Sequence, residues 1–309
     1  MIDVTISEVG PRDGLQNIDC VLPTADKLRW IEALAAAGLP EIEVGSCVSP
    51  KLLPQMADTV EVARSARTLD VQIAVLVPNL KGVERILPER PDKISLPLSV
   101  SETHSRRNVN RSHEEMFAEI AAIAGRLKEL PKAERPHFEV GLSTAFGCTI
   151  EGPVSEALVV DLAVRAVRTG ADEVGLSDTT GCGNPSQVRR LIRAVRSEVG
   201  SEKLTGIHLH NTRGQGLANA LAALEEGLTT LDASLGGLGG CPFAPGASGN
   251  IVTEDLVFML EAMGLNTGVD FDALMRAREA LIGVLPREIP IFGFTPDAGL
   301  PLGMRVGAR

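Results

Sequence analysis

A chain of 309 residues, 44% of them hydrophobic, can bury about three-quarters of its unfolded surface, as two domains or as one α/β barrel of ~250 residues or more. Its net charge of −10 argues against nucleic acid and anionic membrane as partners, while leaving room for an anionic small molecule in a locally basic pocket. No apolar run approaches the roughly 20 residues needed to span a bilayer. Cys20, Cys47, Cys148, Cys182 and Cys241 are scattered and odd in number, and the chain begins on a strand-like run, not a secretory signal. That pattern predicts free thiols in a reducing cytoplasm.

Strand-like and helix-like segments alternate along the chain. A β-branched alternation over 4–9 is followed by a turn, Gly10-Pro-Arg12-Asp13-Gly14. Thr24 reads as the N-cap of a helix over 25–37, with Gly38 as its stop. A short strand over 41–44 leads to a helix from about 52 to 67. The apolar run 71–77 predicts a strand buried on both faces, and Asn79 caps the next helix. A strand over 92–99 precedes a helix from Ser112 to Leu127, with Glu114 and Glu115 in the turn that the helix dipole favours.

The second half repeats the pattern. Strands over 137–143, 173–177, 204–210 and 229–235 alternate with helices over 155–169, 185–199 and 215–226. Two more helices follow, over 253–263 and 270–285. No Pro- or Ser-rich linker divides the chain, so residues 1–285 are expected to form one domain, with 286–309 as a tail. Eight strand–helix units predict a parallel sheet closed into a (β/α)8 TIM barrel; an open doubly wound sheet with an appended piece is the other arrangement. Active sites of such barrels lie at the C-terminal strand ends. Arg12 and Asp13, Glu43, Asp178, His208 and His210, and the Cys241 loop all fall at that rim.

His208 and His210 occupy alternate positions of a strand. They therefore share a face, roughly 6–7 Å apart along the chain, and can close on one metal ion. With Asp13 and the amide oxygen of Asn250 they make a nitrogen–oxygen donor set suited to Mg²⁺ or Mn²⁺. A histidine in a strand is also commonly a packed residue, and convergence with Asp13 is what favours the ligand role. Cys241 lies in a glycine-rich run that buries little, so packing is a poor reason for it. Its thiol could transfer protons if tuned toward neutrality. The other cysteines read as packing or loop residues. Arg12 suits a developing enolate oxygen or a carboxylate, and equally an ion pair with Glu43 or Asp178.

Val9-Gly-Pro-Arg-Asp-Gly-Leu-Gln-Asn17, Ser49-Pro-Lys51, Pro78-Asn-Leu-Lys-Gly82, His208-x-His210 and Gly237-Leu-Gly-Gly-Cys-Pro-x-Ala-x-Gly-Ala-Ser-Gly-Asn250 together resemble the 3-hydroxy-3-methylglutaryl-CoA lyase family, from about residue 4 to 283. Condensing barrels such as isopropylmalate synthase share the first and fourth motifs but not the cysteine loop. The resemblance implies a divalent-cation barrel that cleaves a 3-hydroxyacyl-CoA, with Asp13, His208, His210 and Asn250 as ligands. It implies Arg12 on the enolate, Cys241 as a proton carrier on a mobile loop, Glu43 and Asp178 ordering the site, and Gln16 positioning the acyl group. Arg106, Arg107 and Asn108 would meet the nucleotide of CoA, or else be solvated loop residues. The family resemblance also suggests a homodimer. Asn211 and Arg213, where the family has Asp and Tyr, and Thr149-Ile150, where it has Pro-Tyr, are expected to touch the acyl pocket. They make citramalyl-CoA the alternative substrate. A condensing synthase and a non-catalytic barrel are the competing classes.

Overall fold

The computed structural model describes residues 2–239 and 249–294. These form β1 (Thr5–Glu8), α1 (Thr24–Ala36), β2 (Glu41–Ser46), α2 (Thr59–Ala66), β3 (Gln72–Leu76), α3 (Leu80–Ile86), β4 (Lys93–Ser99), α4 (Glu102–Asn108) and α5 (His113–Lys128). There follow β5 (His137–Ser143), α6 (Glu156–Thr169), β6 (Glu173–Asp178), α7 (Pro185–Val199), β7 (Gly206–Leu209), α8 (Gly216–Glu225), β8 (Thr230–Ala233), α9 (Thr253–Ala262) and α10 (Phe271–Val284). The strands pair in parallel in chain order, and β1 closes on β8 through Thr5↔Thr230 to Glu8↔Ala233. The fold is a (β/α)8 TIM barrel, as the eight alternations predict.

Period-two patterning sorts the strand residues. On β5, Phe138, Val140 and Leu142 are fully buried against the helical layer, whereas Glu139, Gly141 and Ser143 point into the lumen and are only half-buried. The helices bury apolar stripes on the outside of the sheet, such as Val188, Leu191, Ile192 and Val195 of α7. A bulge between Glu43 and Gly45 shifts the β2–β3 register at the rim. Bulges commonly re-aim a side chain beside an active site, and here Glu43 faces Arg12.

Local capping explains where expectation and structure agree or part. Ser112 and Glu115 form a reciprocal capping box on α5, and Asn79 accepts from Gly82 N at the start of α3. Thr24, expected as an N-cap, is instead the first helical residue after Pro23, and its hydroxyl donates to Asp58 Oδ2 at 2.8 Å. The helix expected from 52 begins only at Thr59, after a one-turn 3-10 segment at Pro54–Met56. Proline constrains the residue before it away from helical geometry. The stretch after β4, expected as loop, is helix α4, capped by Ser101 accepting from His104 N.

Glu8 fastens the rim together. Its Oε1 accepts from Gly10 N and Leu235 N, both at 2.9 Å, and Thr253 Oγ1 donates to Oε2 at 2.6 Å. It therefore joins the turn carrying Asp13 to the chain entering the cysteine loop and to the start of α9. Gly10 is required there, because a Cβ would lie 2.5 Å from Glu8 Oε1 and 2.9 Å from Trp30. Complete burial, only partly offset by these donors, raises the carboxyl to about 8. A folded value above the ordinary one means the stabilisation is full below about 4.5 and is lost as pH rises through about 8. Glu8→Gln keeps the acceptor and removes the titration. Denaturant unfolding should show wild type losing up to about 1.4 kcal/mol per pH unit across that window relative to the variant. Parallel pH profiles would contradict the assignment.

Candidate metal centre and active site

The residues that gather at the rim are delivered by backbone hydrogen bonds. Val9 O accepts from Arg12 N, Asp13 N and Gly14 N, coiling residues 10–14 into one wide helical turn directly after β1. That turn points Arg12 and Asp13 over the barrel. On the opposite side, Asn250 bridges His210 in antiparallel fashion. Asn211 N donates to Gly249 O, Ile251 N to Leu209 O and Ser234 N to Ile251 O. The chain returning from the cysteine loop is thus sewn between the ends of β7 and β8.

Asp13 is the meeting point. Its Oδ1 accepts from Arg12 Nη1 at 2.6 Å and Gln16 Nε2 at 3.0 Å. Its Oδ2 accepts from Asn250 Nδ2 at 2.8 Å and faces His210 Nε2 at 3.7 Å and His208 Nε2 at 4.0 Å. Burial alone would raise this carboxyl, but the Arg12 charge and the two imidazoles hold it far below the usual carboxylate range. Asp13 is an anion at any physiological pH.

The ligand atoms of Asp13, His208 and His210 lie within 4.8 Å of one another, so one ion can reach all three. His208 Nδ1 pairs with Asp232 Oδ2 at 3.0 Å, which directs Nε2 toward Asp13. A carboxylate behind a ligating imidazole fixes its tautomer and strengthens it as a donor. Burial would depress the His208 pKa, but the Asp232 hydrogen bond and the Asp232 and Asp13 charges raise it. One further atom points the same way. Among the described residues Asn250 Oδ1 is buried with no hydrogen-bond partner, which is costly unless something else satisfies it. One carboxylate, two imidazoles and one free amide oxygen fit a hard divalent cation.

Arg12 makes the ion pair that the sequence allowed, and its partner is Glu43, not Asp178. Its Nε donates to Glu43 Oε2 at 2.5 Å while Nη1 holds Asp13. Burial lowers the guanidinium and Glu43 and Asp13 raise it, with a net rise. Glu43, completely buried, is raised by that burial despite Arg12, and Ser95 Oγ donates to its other oxygen at 3.0 Å. Asp178 sits differently. Its oxygens accept from Cys182 N at 2.8 Å and Gly183 N at 3.0 Å. It orders the β6–α7 turn and does not line the cavity at the site.

That cavity, about 550 Å³, opens past Gln16, Arg12, Asp13, His208 and His210. Arg107 and Asn108, at the end of α4, line its mouth, whereas Arg106 turns outward to Glu102 at 3.0 Å. The departures expected at the acyl pocket are not there. Arg213 Nη1 donates to Thr180 O and Gly181 O, both at 2.9 Å, and Asn211 Oδ1 accepts from Gly216 N. Neither they nor Thr149 and Ile150 line the cavity. Arg213 braces the β6 turn against β7, which is why its charge stays away from the ligands. Cys241 lies outside the described residues. The four described cysteines are free thiols away from the cavity, and burial pushes Cys47 up to about 11.

Sequence reasoning missed Asp232. The signal was present: on β8 the side chains of Thr230 and Asp232 share the lumen face, and His208 is the register partner of Asp232. Asp232→Asn is expected to weaken Mn²⁺ binding about 10–100-fold by calorimetry while leaving the far-UV spectrum unchanged. Undiminished affinity would remove Asp232 from the support of the site.

The comparisons with known proteins agree with this geometry. The family model described as HMGL-like matches residues 3–281. The mitochondrial hydroxymethylglutaryl-CoA lyase of Mus musculus is 42% identical over 286 residues, 92% of this chain and 86% of that protein. The (R)-citramalyl-CoA lyase of Chloroflexus aurantiacus is 41% identical over 298 residues, 93% of this chain and 92% of that protein. An HMG-CoA lyase from Acinetobacter baumannii, solved in complex with coenzyme A and 3-methylmalate, aligns with a TM-score of 0.89 at 40% identity, covering 98% of this chain and 97% of that one. The barrel, the rim constellation and these matches give one conclusion: the chain belongs to the HMGL-like family.

Proposed function

We propose that this protein is a divalent-metal-dependent carbon–carbon lyase that cleaves 3-hydroxy-3-methylglutaryl-CoA to acetyl-CoA and acetoacetate. The observation that carries it is Arg12, held by Glu43 and Asp13 beside the Asp13–His208–His210 cluster at the cavity mouth. A retro-Claisen cleavage needs an acidified hydroxyl and, adjacent to it, a fixed cation for the enolate.

Asp13, His208, His210 and Asn250 would hold Mg²⁺ or Mn²⁺, which supplies Lewis acidity toward the tertiary hydroxyl of the substrate. The remaining work falls to the chain. The hydroxyl gives up its proton, the bond between C2 and C3 breaks as the C3 carbonyl forms, and the electron pair passes to the thioester enolate. Arg12 faces that developing oxygen. Its planar fork is already immobilised by two carboxylates, so little reorganisation remains when charge appears. Protonation of the enolate carbon yields acetyl-CoA; the resemblance assigns that proton to Cys241. Gln16, bonded to Asp13 and lining the cavity, would position the acyl group. Arg107 and Asn108 at the mouth would receive CoA, and Arg106 belongs to this set only through the resemblance. Glu43 acts by holding Arg12, and Asp178 by ordering its turn. A cytoplasmic homodimer and a place in leucine breakdown complete the proposal, on family resemblance and on the free thiols. No helix among the described residues is long and apolar enough to cross a membrane.

The direct test is release of acetyl-CoA from 3-hydroxy-3-methylglutaryl-CoA with Mn²⁺ or Mg²⁺ and a thiol reductant. Turnover of citramalyl-CoA alone would transfer the assignment to that substrate, and no turnover of either would return the chain to a binding role. Arg12→Gln should lower kcat by about 10²–10³-fold or more while Mn²⁺ still binds. Its melting temperature should also fall, since the variant leaves two buried carboxylates without their partner. Wild-type rates would exclude Arg12 from the chemistry.

A further inference from the structure

Barrels of this class fill their interiors with layers of branched aliphatic side chains. This one keeps its lumen open and polar. Gly141 on β5 pairs with Pro97 on one side and Gly175 on the other. Among the described residues a Cβ built on Gly141 meets nothing within 4 Å, so none of them fills the space inward of it. Glycine within a strand weakens it and often marks the close approach of another group. The cavity that opens at Arg12 and His208 runs down past Gly141, Gly175 and Gly206 to Lys93, Glu139 and Glu41. A methyl branch on the substrate would leave most of that depth to water.

The floor is built to form hydrogen bonds. Lys93 Nζ lies 2.7 Å from Glu139 and 3.3 Å from Glu41, and Ser7 Oγ donates to Glu41 at 2.6 Å. Glycine at 175 is what admits Glu139, since a Cβ there would come within 2.3 Å of its Oε1. Burial, against the Lys93 charge, raises Glu139 to about 7. Two carboxyls to one ammonium make the floor acidic, suited to a donor and unsuited to a plain hydrocarbon.

In the proposed reading CoA meets Arg107 and Asn108 at the mouth, so the thioester arm leaves past them. With the hydroxyl and carboxylate directed at the Asp13–His208–His210 cluster, one substituent of the hydroxyl-bearing carbon is left to point down the lumen. We propose that the lumen is a subsite for that substituent. The preferred substrate carries, in place of methyl, a branch ending in a hydrogen-bond donor that Glu139 and Glu41 receive, with Gly141 leaving room for its stem. This rests on the lyase reading of the rim. Gly141 lies two residues below Ser143, roughly 6–7 Å along the strand, the reach of a branch of about four or five atoms.

The test compares three thioesters on the full-length protein: the methyl substrate, 3-hydroxy-3-(4-hydroxybutyl)glutaryl-CoA and its apolar isostere 3-hydroxy-3-pentylglutaryl-CoA. Both calorimetric Kd and kcat/KM with Mn²⁺ are measured. The hydroxybutyl compound should be favoured over each of the others by about tenfold or more, and that preference should fall by about tenfold in Gly141→Leu and in the smaller Gly141→Val. Equal affinity for methyl and hydroxybutyl compounds, a pentyl branch bound as well as hydroxybutyl, or a preference unaltered in both variants would each overturn the subsite. The two readouts separate the readings. Preference in binding without cleavage of any compound would leave the subsite standing and remove the lyase reading. Cleavage of the methyl compound without preference would do the reverse.

Discussion

The structure of the rim depends on how one buried carboxylate divides its two oxygens. Asp13 gives Oδ1 to Arg12 and Gln16 and turns Oδ2 toward Asn250 and the two imidazoles. A lone carboxylate so buried would take up a proton. The Arg12 guanidinium prevents that, and the same contact fixes Arg12 beside the place where a cation would bind. In the proposed reaction, acidification of the substrate and stabilisation of the enolate would therefore be coupled through a single side chain. Removing Arg12 leaves Asp13 and Glu43 buried without their cation, a change that typically costs about 3–5 kcal/mol in a buried pair.

The barrel serves this arrangement by bringing distant segments together. Asp13 comes from the turn after β1, the histidines from β7, and Asn250 from the strand-like return between β7 and β8. Glu8 bonds the first of these to Leu235, where the chain enters the cysteine loop, and to Thr253, just beyond Asn250. Beneath them the lumen is lined by small and charged side chains instead of aliphatic layers, so the core that stabilises the fold lies between sheet and helices, where Phe138, Val140 and Leu142 are buried. That division leaves the interior of the barrel available for chemistry.

Much of this was legible in the sequence. Alternating periods of two and 3.6 gave the strand and helix order, and the spacing of His208 and His210 placed both imidazoles on one face. What escaped were features set by local capping and by partners far away in the chain. Helix α4 is short and polar, and only Ser101 as its cap announces it. Thr24 looked like a cap because threonine often is one, but a hydrogen bond to Asp58 claims its hydroxyl. The departures at 211, 213 and 150 implied an altered pocket, yet Arg213 spends its donors on backbone carbonyls of the β6 turn. Residues that do shape the cavity, Glu139 and Gly141 among them, carry no motif. Their meaning depends on which face of β5 they occupy and on what stands across the barrel.

The central claim is that Asp13 and two imidazoles close on one divalent ion. Electron spin echo spectroscopy of the Mn²⁺-loaded protein tests it most directly, because ligating imidazole nitrogens modulate the manganese signal. The account requires couplings from two nitrogens in the wild type, with one set lost in His208→Ala and the other in His210→Ala. A manganese signal without nitrogen coupling, or one indifferent to both substitutions, would contradict it.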